Sequence, residues 1–357
     1  MLFHLGALWR LNELQYLLKL SRVSSVSGGS ITSGALALNW KNLNFDNAGL
    51  ALNFDQQLTQ PIRGMASQSI DINSIVSGIF GGVSKHVQDH YNKYLYHHAK
   101  LQDIADAPRF VFNATSLQTG VLWRFSKPFM GDFKVGLVMK PHVELATAVA
   151  ASSAFPPVLA PCVLHLDPNS FDPNLQPPPI ITNPDFRKKM VLADGGVYDN
   201  LGLETAWKQN KTILVSDGGG LLAAEADPAE DWLGMTNRVL SVIYNQVGAL
   251  RKRAVIEFFS NHVRDGSYWG IGTDIRNYQS PTALVCPIDV TTNLAQTATR
   301  LTALDTARQE QLIDWGYAVC DAAMRRWVVP DAAVPPQSPY GTFKKPQLEP
   351  YQERMLQ

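Results

Sequence analysis

The feature that most constrains the fold of this chain is a run of serines and glycines, SSVSGGS, at residues 24–30. It lies between an extended stretch, RVSSV, and a helical stretch rich in small residues, ITSGALALNW. A flexible linker has polar neighbours without structure, whereas these neighbours predict a strand, a sharp turn and a helix. Such a turn can hold one serine up as a nucleophile, and it requires small residues two positions to either side.

Two serines in this run compete for the position at the turn. Ser27 has Ser25 two positions before it and Gly29 two positions after it, which matches GxSxG with serine in place of the first glycine. Ser30 offers a second frame, but a β-branched residue follows it at the second position and fits less well. We therefore expect Ser27 to be the nucleophile, with the backbone N–H of Gly28 as an oxyanion donor.

A second segment, VLADGGVYDNLGLE, offers the base that a serine nucleophile needs. Asp194 ends a predicted buried strand and is followed by Gly195 and Gly196, which allow another part of the backbone to approach closely. Catalytic groups gather at the carboxyl ends of the strands of an open parallel sheet, so we expect Asp194 and Ser27 to meet at one edge. Asp217, in the similar segment SDGGG, competes for the same role.

The rest of the chain alternates helical and extended patterns, which predicts an α/β protein. The extended stretches KMVLA and KTILVS flank the helical LGLETAWKQN and predict a strand-helix-strand unit of a parallel sheet. Long helices are predicted at about residues 229–259 and 301–327. We expect one domain over residues 1–328 and a proline-rich surface tail over residues 329–357.

Composition limits the partners of the protein. Lysine plus arginine and aspartate plus glutamate number 31 each in 357 residues, so there is no overall field to attract nucleic acid or an anionic membrane. Three widely spaced cysteines argue against a disulfide framework or a cysteine metal site, and favour a reducing compartment. The longest later apolar run, residues 143–166, is broken by prolines. We expect a cytoplasmic protein, without bound metal or cofactor, that contacts membranes only peripherally.

Taken together, these segments resemble the patatin-like phospholipase family, which are serine lipid acyl hydrolases. Besides the serine and aspartate segments, FHLGALWRLNEL, FNATSLQTG and ASSAFPPVLAP are similar to family segments, in the expected order over about residues 2–220. The resemblance implies a three-layer α/β fold, with a central, mostly parallel sheet flanked by helices and a nucleophile elbow after an early strand. It also implies a dyad of Ser27 and Asp194 and a lipid or ester substrate.

One family feature differs. A glycine-rich loop, typically GGGxR, precedes the first helix in the family and donates amides to the oxyanion hole. Here the sequence begins at Met1, directly before that helix, so we expect the loop and its strand to be missing. The loss of each donor removes about 3 to 4 kcal/mol of transition-state stabilisation, so we expect either weak or no activity or a true start that lies upstream of Met1.

If the dyad is active, Ser27 attacks the ester carbonyl, Asp194 accepts its proton, and water then releases the acyl chain from the serine. An apolar groove is needed to hold that chain. Candidates for its lining are the mid-chain apolar residues Ile79, Phe80, Trp123, Phe125 and Phe129.

Three alternatives remain open. The missing loop favours a lipid-binding pseudoenzyme that has lost catalysis. A triad of serine, histidine and acid would have to use His262, the only histidine after Asp194. His86 and His90 lie four residues apart, as zinc ligands on a helix do, but Val87 stands where zinc proteases have glutamate.

Overall fold

The structure, a computed structural model, describes residues 1–70, 82–220, 222–297 and 302–343. The helices are α1 (Leu2–Glu13), α2 (Gly28–Asn39), α3 (Gln60–Ala66), α4 (Gly82–Tyr91), α5 (Leu145–Ser152), α6 (Asp185–Lys188), α7 (Gly196–Asp199), α8 (Glu204–Trp207), α9 (Trp232–Ser260), α10 (Ile288–Ala295) and α11 (Thr306–Trp327). The strands are β1 (Arg22–Ser25), β2 (Arg109–Ser116), β3 (Val121–Ser126), β4 (Phe129–Asp132), β5 (Gly136–Met139), β6 (Cys162–His165), β7 (Lys189–Asp194), β8 (Thr212–Asp217) and β9 (Asp265–Gly270).

The protein is a mixed α/β protein, as the alternating pattern predicts. The relative directions of the strands in its main sheet differ from the prediction. Seven strands form this sheet in the order β5-β4-β3-β2-β7-β6, with β1 also paired to β2. Only the pair of β1 and β2 is parallel, and every other pair is antiparallel. The prediction of a mostly parallel central sheet is therefore wrong. Short connections at residues 117–120, 127–128 and 133–135 account for three of these pairs, β2-β3, β3-β4 and β4-β5, because such connections join antiparallel neighbours.

The predicted strand-helix-strand unit also forms differently. KMVLA lies in β7 of the main sheet, whereas KTILVS lies in β8, which pairs in parallel with β9 in a separate two-stranded sheet. A parallel crossover within one sheet needs a helix laid across the sheet face. Here the connection folds into the single-turn helices α7 and α8, and the buried Asp199 accepts the N–H groups of Leu201 and Glu204 between them. The chain therefore turns away from the main sheet after β7.

Strand β2 brings two distant parts of the chain together. Its first half pairs with β1, with Ser25 opposite Phe112, and its second half pairs with β7, with Asp194 opposite Ala114. Because β3 occupies the other edge of β2, β1 and β7 lie end to end along one edge. Their carboxyl ends therefore meet beside Asn113.

Helices α2 and α5 pack against this part of the sheet. Both carry small side chains on their buried positions, which allows a helix to lie close to a sheet. The buried alanines are Ala35 and Ala37 in α2 and Ala146, Ala148, Ala150 and Ala151 in α5.

The first and last long helices cross at very short range. A Cβ atom at Gly6 of α1 would overlap the carbonyl oxygen of Ile313 in α11, and one at Gly316 would overlap that of Phe3. The buried Arg10 of α1 also forms an ion pair with Asp321 of α11, with 2.8 Å between Nη2 and Oδ1. The two backbones are thus in direct contact, and only glycine fits at the crossing.

The described part of the proline-rich tail lies against the same two helices. The Asp314 carboxylate of α11 accepts the backbone N–H groups of Tyr340 and Thr342, and the Ala333 carbonyl accepts a hydrogen bond from Arg10. The division of the chain at residue 328 stays a prediction.

Across the stretches of chain given above, none of the helices has both the length and the apolar character that a membrane span requires.

Candidate active site

Ser27 occupies a strained turn between β1 and α2. Its backbone has φ 53° and ψ −130°, a conformation that residues with a side chain rarely adopt. The turn is closed by hydrogen bonds from Gly29 N to Val26 O, at 3.0 Å, and from Ser30 N to Ser27 O, at 2.8 Å. The Ser27 side chain is half-buried. The strand, turn and helix are therefore those that the sequence predicts, with strain at the serine.

Ser30, the alternative to Ser27, points into the interior. Its hydroxyl donates to Ser25 Oγ at 3.0 Å and lies 2.8 Å from Ser152 Oγ, and the residue is fully buried. Ser33 also donates to Ser25 Oγ, at 2.6 Å. The hydroxyl of Ser25, in the place of the first glycine of GxSxG, is thus held by hydroxyls of α2. These contacts give Ser25 and Ser30 a structural role. Ser27 is left at the open side of the turn.

Asp194 is fully buried at the end of β7. Its Oδ1 atom accepts the N–H of Gly196 at 2.7 Å, while Oδ2 has no hydrogen-bond partner among the described residues. Burial raises the pKa of Asp194 to about 6, against the lowering effect of the Gly196 N–H and the Ser27 side chain. The carboxylate is therefore a stronger proton acceptor than an exposed aspartate and is still mostly ionised at neutral pH.

The backbone holds Ser27 and Asp194 side by side. The carbonyl oxygen of Ser152 accepts both Ser27 N, at 3.0 Å, and Gly195 N, at 3.2 Å. The Ser27 side chain lies close enough to the carboxylate to lower the pKa of Asp194, although Oδ2 makes no hydrogen bond of regular geometry.

Two residues that the sequence reasoning did not select hold this arrangement together. Asn113 donates from Nδ2 to Ser25 O at 2.9 Å, and its carbonyl accepts the Ser152 hydroxyl at 2.6 Å. A Cβ atom at Gly195 would overlap that same Asn113 carbonyl, which explains the need for glycine after Asp194. Asn113 lies in FNATSLQTG and Ser152 lies in ASSAFPPVLAP, two of the segments that resemble the family. The resemblance therefore indicates these segments but not the roles of the two residues.

The first turn of α2 supplies amides beside Ser27. Gly28 is the first residue of α2, and the first N–H groups of a helix have no partner within the helix. Together with the positive end of the helix dipole, the Gly28 N–H suits a developing oxyanion. The neighbouring Gly29 faces the half-buried imidazole of His4, whose Nδ1 lies 2.8 Å from Ser216 Oγ. Burial lowers the pKa of His4 to about 3, so the imidazole is neutral.

Asp217, the competing acid, already has partners for both carboxylate oxygens. Oδ2 accepts the Tyr268 hydroxyl at 2.6 Å, and Oδ1 accepts the N–H of Gly219 at 2.9 Å. It ends β8 in the two-stranded sheet and is not on the edge of β2 that carries Ser27. The geometry therefore favours Asp194 over Asp217.

Helix α9 covers the site from one side. The hydroxyl of Tyr244 reaches the point where a Cβ atom at Gly196 would lie, and its ring meets the Phe155 ring edge-on at 5.4 Å. Burial, and then the charge of Asp194, raise the pKa of Tyr244. The sequence predicts this helix at about residues 229–259, but nothing in its pattern indicates that it approaches the aspartate.

The predicted groove lining is only partly supported. Trp123 and Phe125 are fully buried in β3, so they belong to the core and do not line a groove. Phe129 is half-buried and packs against the guanidinium of Arg124. Ile79 and Phe80 lie outside the described residues.

The histidine alternatives find no support in the geometry. His262 is exposed and follows the far end of α9. The 16 helical steps from Tyr244 to Ser260 correspond to about 24 Å, so the geometry does not favour the alternative triad with His262. His86 lies 2.8 Å from the Gly82 carbonyl through Nδ1, and the His90 ring packs on Tyr94. Among the residues that the structure describes, no group of three or more histidine, cysteine, aspartate or glutamate side chains is placed to hold a metal ion.

Comparison with known protein families supports the resemblance noted in the sequence. A family model described as Patatin-like phospholipase matches residues 1–207, more than half of the chain. The matched region contains β1 to β7, with both Ser27 and Asp194. No curated protein matches the chain.

Proposed function

Since this chain belongs to the patatin-like phospholipase family, we propose that it hydrolyses fatty acyl esters of lipids through a dyad of Ser27 and Asp194. The observation that carries the proposal is the shared Ser152 carbonyl, which holds the strained Ser27 turn beside the buried carboxylate. The Oδ2 atom of Asp194, which has no hydrogen-bond partner in the described part of the chain, is the group that would accept the serine proton.

The reaction begins with attack of Ser27 Oγ on the ester carbonyl carbon. Asp194 accepts the hydroxyl proton as the bond to carbon forms, and the Gly28 N–H stabilises the negative oxygen. The carboxylic acid then gives that proton to the departing alcohol oxygen, and an acyl-serine remains. A water molecule attacks the acyl carbon, Asp194 takes its proton, and Ser27 leaves with that proton as the fatty acid is released.

Burial of Asp194 sets both its strength as a base and its degree of ionisation. A pKa of about 6 makes the carboxylate a better base than an exposed aspartate, whose reference value is about 3.9. It also keeps most of the group ionised at pH 7, so the base is ready before substrate binds. The same burial means that Asp194 can accept a proton without loss of solvation.

The proposal extends to the setting of the reaction. The cysteines Cys162, Cys286 and Cys320 are all free, as expected of a protein in a reducing compartment such as the cytoplasm. The substrate is a lipid or simple ester, and nucleic acid is not a partner in this proposal.

The experiment is hydrolysis of p-nitrophenyl butyrate by the wild-type protein and by a Ser27→Ala variant. Because an alanine cannot form the acyl intermediate, kcat/KM should fall by about a thousandfold or more. Ser170→Ala is the matched control, since Ser170 is exposed and its hydroxyl donates only to the nearby Asp167 carbonyl. This control should keep its rate within about twofold.

Labelling of the protein by a fluorophosphonate gives a second readout, because the reagent marks an activated serine. Mass spectrometry should place the label on Ser27. Equal rates for the wild-type protein and Ser27→Ala, with no label on Ser27, would refute the dyad and favour a lipid-binding pseudoenzyme.

A further inference from the structure

Helix α9 carries an exposed apolar surface along about its first five turns. Of its 29 residues, only Val255 is buried. Large apolar side chains recur at helical spacing and are between 48% and 77% exposed. Because this spacing places them on one face, we call the set the α9 stripe: Trp232, Met235, Val239, Val242, Ile243 and Leu250.

The opposite side of α9 faces the candidate active site. Tyr244 reaches the environment of Asp194 and Gly196. Further along the same side, Arg251 contacts the carboxylates of Asp199, at 3.5 Å, and Glu204, at 3.4 Å. The helix thus separates the carboxylate of Asp194 from the stripe, and whatever contacts the stripe lies about one helix diameter from the site.

Charge is distributed unevenly along the helix. Between Trp232 and Leu250 the only charged residue is Arg238, and its guanidinium is engaged by Glu225 at 3.4 Å. Of the three basic residues directly after Leu250, Arg251 faces the site and Lys252 packs over the Tyr268 ring at 5.0 Å. Arg253 is exposed and, three residues beyond Leu250, lies on the side of the stripe. An uncharged apolar face that ends at an exposed arginine matches a lipid layer, in which acyl chains meet the apolar side chains and a headgroup phosphate meets the cation.

A second copy of the chain is a poorer occupant for this surface. The stripe is about 27 Å long and about 10 Å wide, which gives about 300 Å². A stable dimer buries about 800 Å² on each partner, so the stripe alone is too small. A helix lying in a lipid interface needs no such minimum, because each apolar side chain inserts independently.

We propose that the α9 stripe docks the protein on the surface of a lipid bilayer and holds the active site within about one helix diameter of it. The proposal rests on the proposed function in one respect, namely that the site acts on lipid esters. Docking itself is a binding event, and it can be measured without any turnover.

The experiment is co-sedimentation with large unilamellar vesicles of phosphatidylcholine, with and without phosphatidylglycerol. The test variant is Val239→Gln with Ile243→Gln, because glutamine keeps the helix propensity and adds no charge. Ile180→Gln is the matched control, since Ile180 is 71% exposed and lies outside α9. Far-UV circular dichroism and thermal unfolding establish that all three proteins are folded alike.

The wild-type protein and Ile180→Gln should sediment with both kinds of vesicle, and more strongly with phosphatidylglycerol. The partition coefficient of the double variant onto vesicles should be lower by about tenfold or more, because two apolar side chains no longer insert. Equal binding by the double variant, or no binding by the wild-type protein, would overturn the proposal. So would a wild-type dimer, seen by light scattering, that becomes monomeric in the double variant.

Hydrolysis of p-nitrophenyl butyrate by the wild-type protein is measured beside these assays. A wild-type protein that hydrolyses the soluble ester but does not bind vesicles contradicts docking alone. A protein that binds vesicles through the stripe but hydrolyses no ester contradicts the proposed function alone.

Discussion

Two Asp-Gly-Gly segments end two strands of this protein and have different surroundings. In both, one carboxylate oxygen accepts the N–H two residues later: Asp194 binds Gly196 N at 2.7 Å and Asp217 binds Gly219 N at 2.9 Å. The second oxygen of Asp217 accepts the Tyr268 hydroxyl, whereas the second oxygen of Asp194 has no partner among the described residues. The same local sequence therefore gives the same turn but a different chemical capacity.

The difference comes from the strands that precede the two turns. Strand β7 pairs with β2 next to the end of β1, which carries the serine turn, while β8 pairs only with β9. Strand pairing thus decides which of two similar acids lies beside Ser27. A catalytic motif is read correctly only together with the strand that positions it.

The largest expected effect comes from exchanging each acid for its amide. Asp194→Asn should lower kcat/KM for p-nitrophenyl butyrate by about a thousandfold, because the amide cannot accept the Ser27 proton. Asp217→Asn should stay within about threefold, since the Asp217 carboxylate is engaged by Tyr268. A comparable loss in both variants would break the distinction between the two loops.

The pH dependence of the rate should show a smaller effect. Burial raises the pKa of Asp194 to about 6, and only the ionised form accepts a proton. Activity is therefore present above this pKa and lost as the pH falls through it, by about tenfold per pH unit. The measurement is kcat/KM from pH 4.5 to pH 8 for the wild-type protein and for Asp217→Asn, which should share one profile. A rate independent of pH across this range would exclude Asp194 as the base.

The smallest expected effect concerns the loop at Asp217 and its contribution to the stability of the protein. Tyr268→Phe removes the hydrogen-bond donor to Asp217 and should lower the free energy of unfolding by about 1 to 2 kcal/mol. Urea denaturation at pH 7 measures this change. Tyr94→Phe is the control, because the Tyr94 hydroxyl makes one long contact within the described residues, 3.4 Å to Gln68, and the change should stay within about 0.5 kcal/mol. Equal stability of all three proteins would show that water replaces the Tyr268 hydroxyl, and that Asp217 is not held as described.

Local features of the fold could be predicted from the sequence because their causes are local. The small residues at positions 24–30 predict the turn at Ser27, which the structure has. The helices predicted at about residues 229–259 and 301–327 form over Trp232–Ser260 and Thr306–Trp327. Apolar spacing and capping residues determine such elements within a few positions.

Long-range features could not be predicted in the same way. Buried strands in parallel and antiparallel sheets have similar apolar patterns, so KMVLA alone does not show that β7 runs antiparallel to β2. The roles of Asn113 and Ser152 depend on strands and helices that lie far apart in the chain. Tyr244 is one of many apolar or aromatic residues in α9, and only its place in the fold brings it to Asp194.

The glycine crossing of α1 and α11 bears on how this protein can be shortened. The family match ends at residue 207, but α1 inside it rests backbone to backbone on α11, which begins at Thr306. A polypeptide cut at the end of the match would expose the apolar side of α1 to water and leave Arg10 without its carboxylate. The region that sequence comparison recognises is therefore smaller than the unit that can stand alone, and expression trials should retain the chain through Trp327 at least.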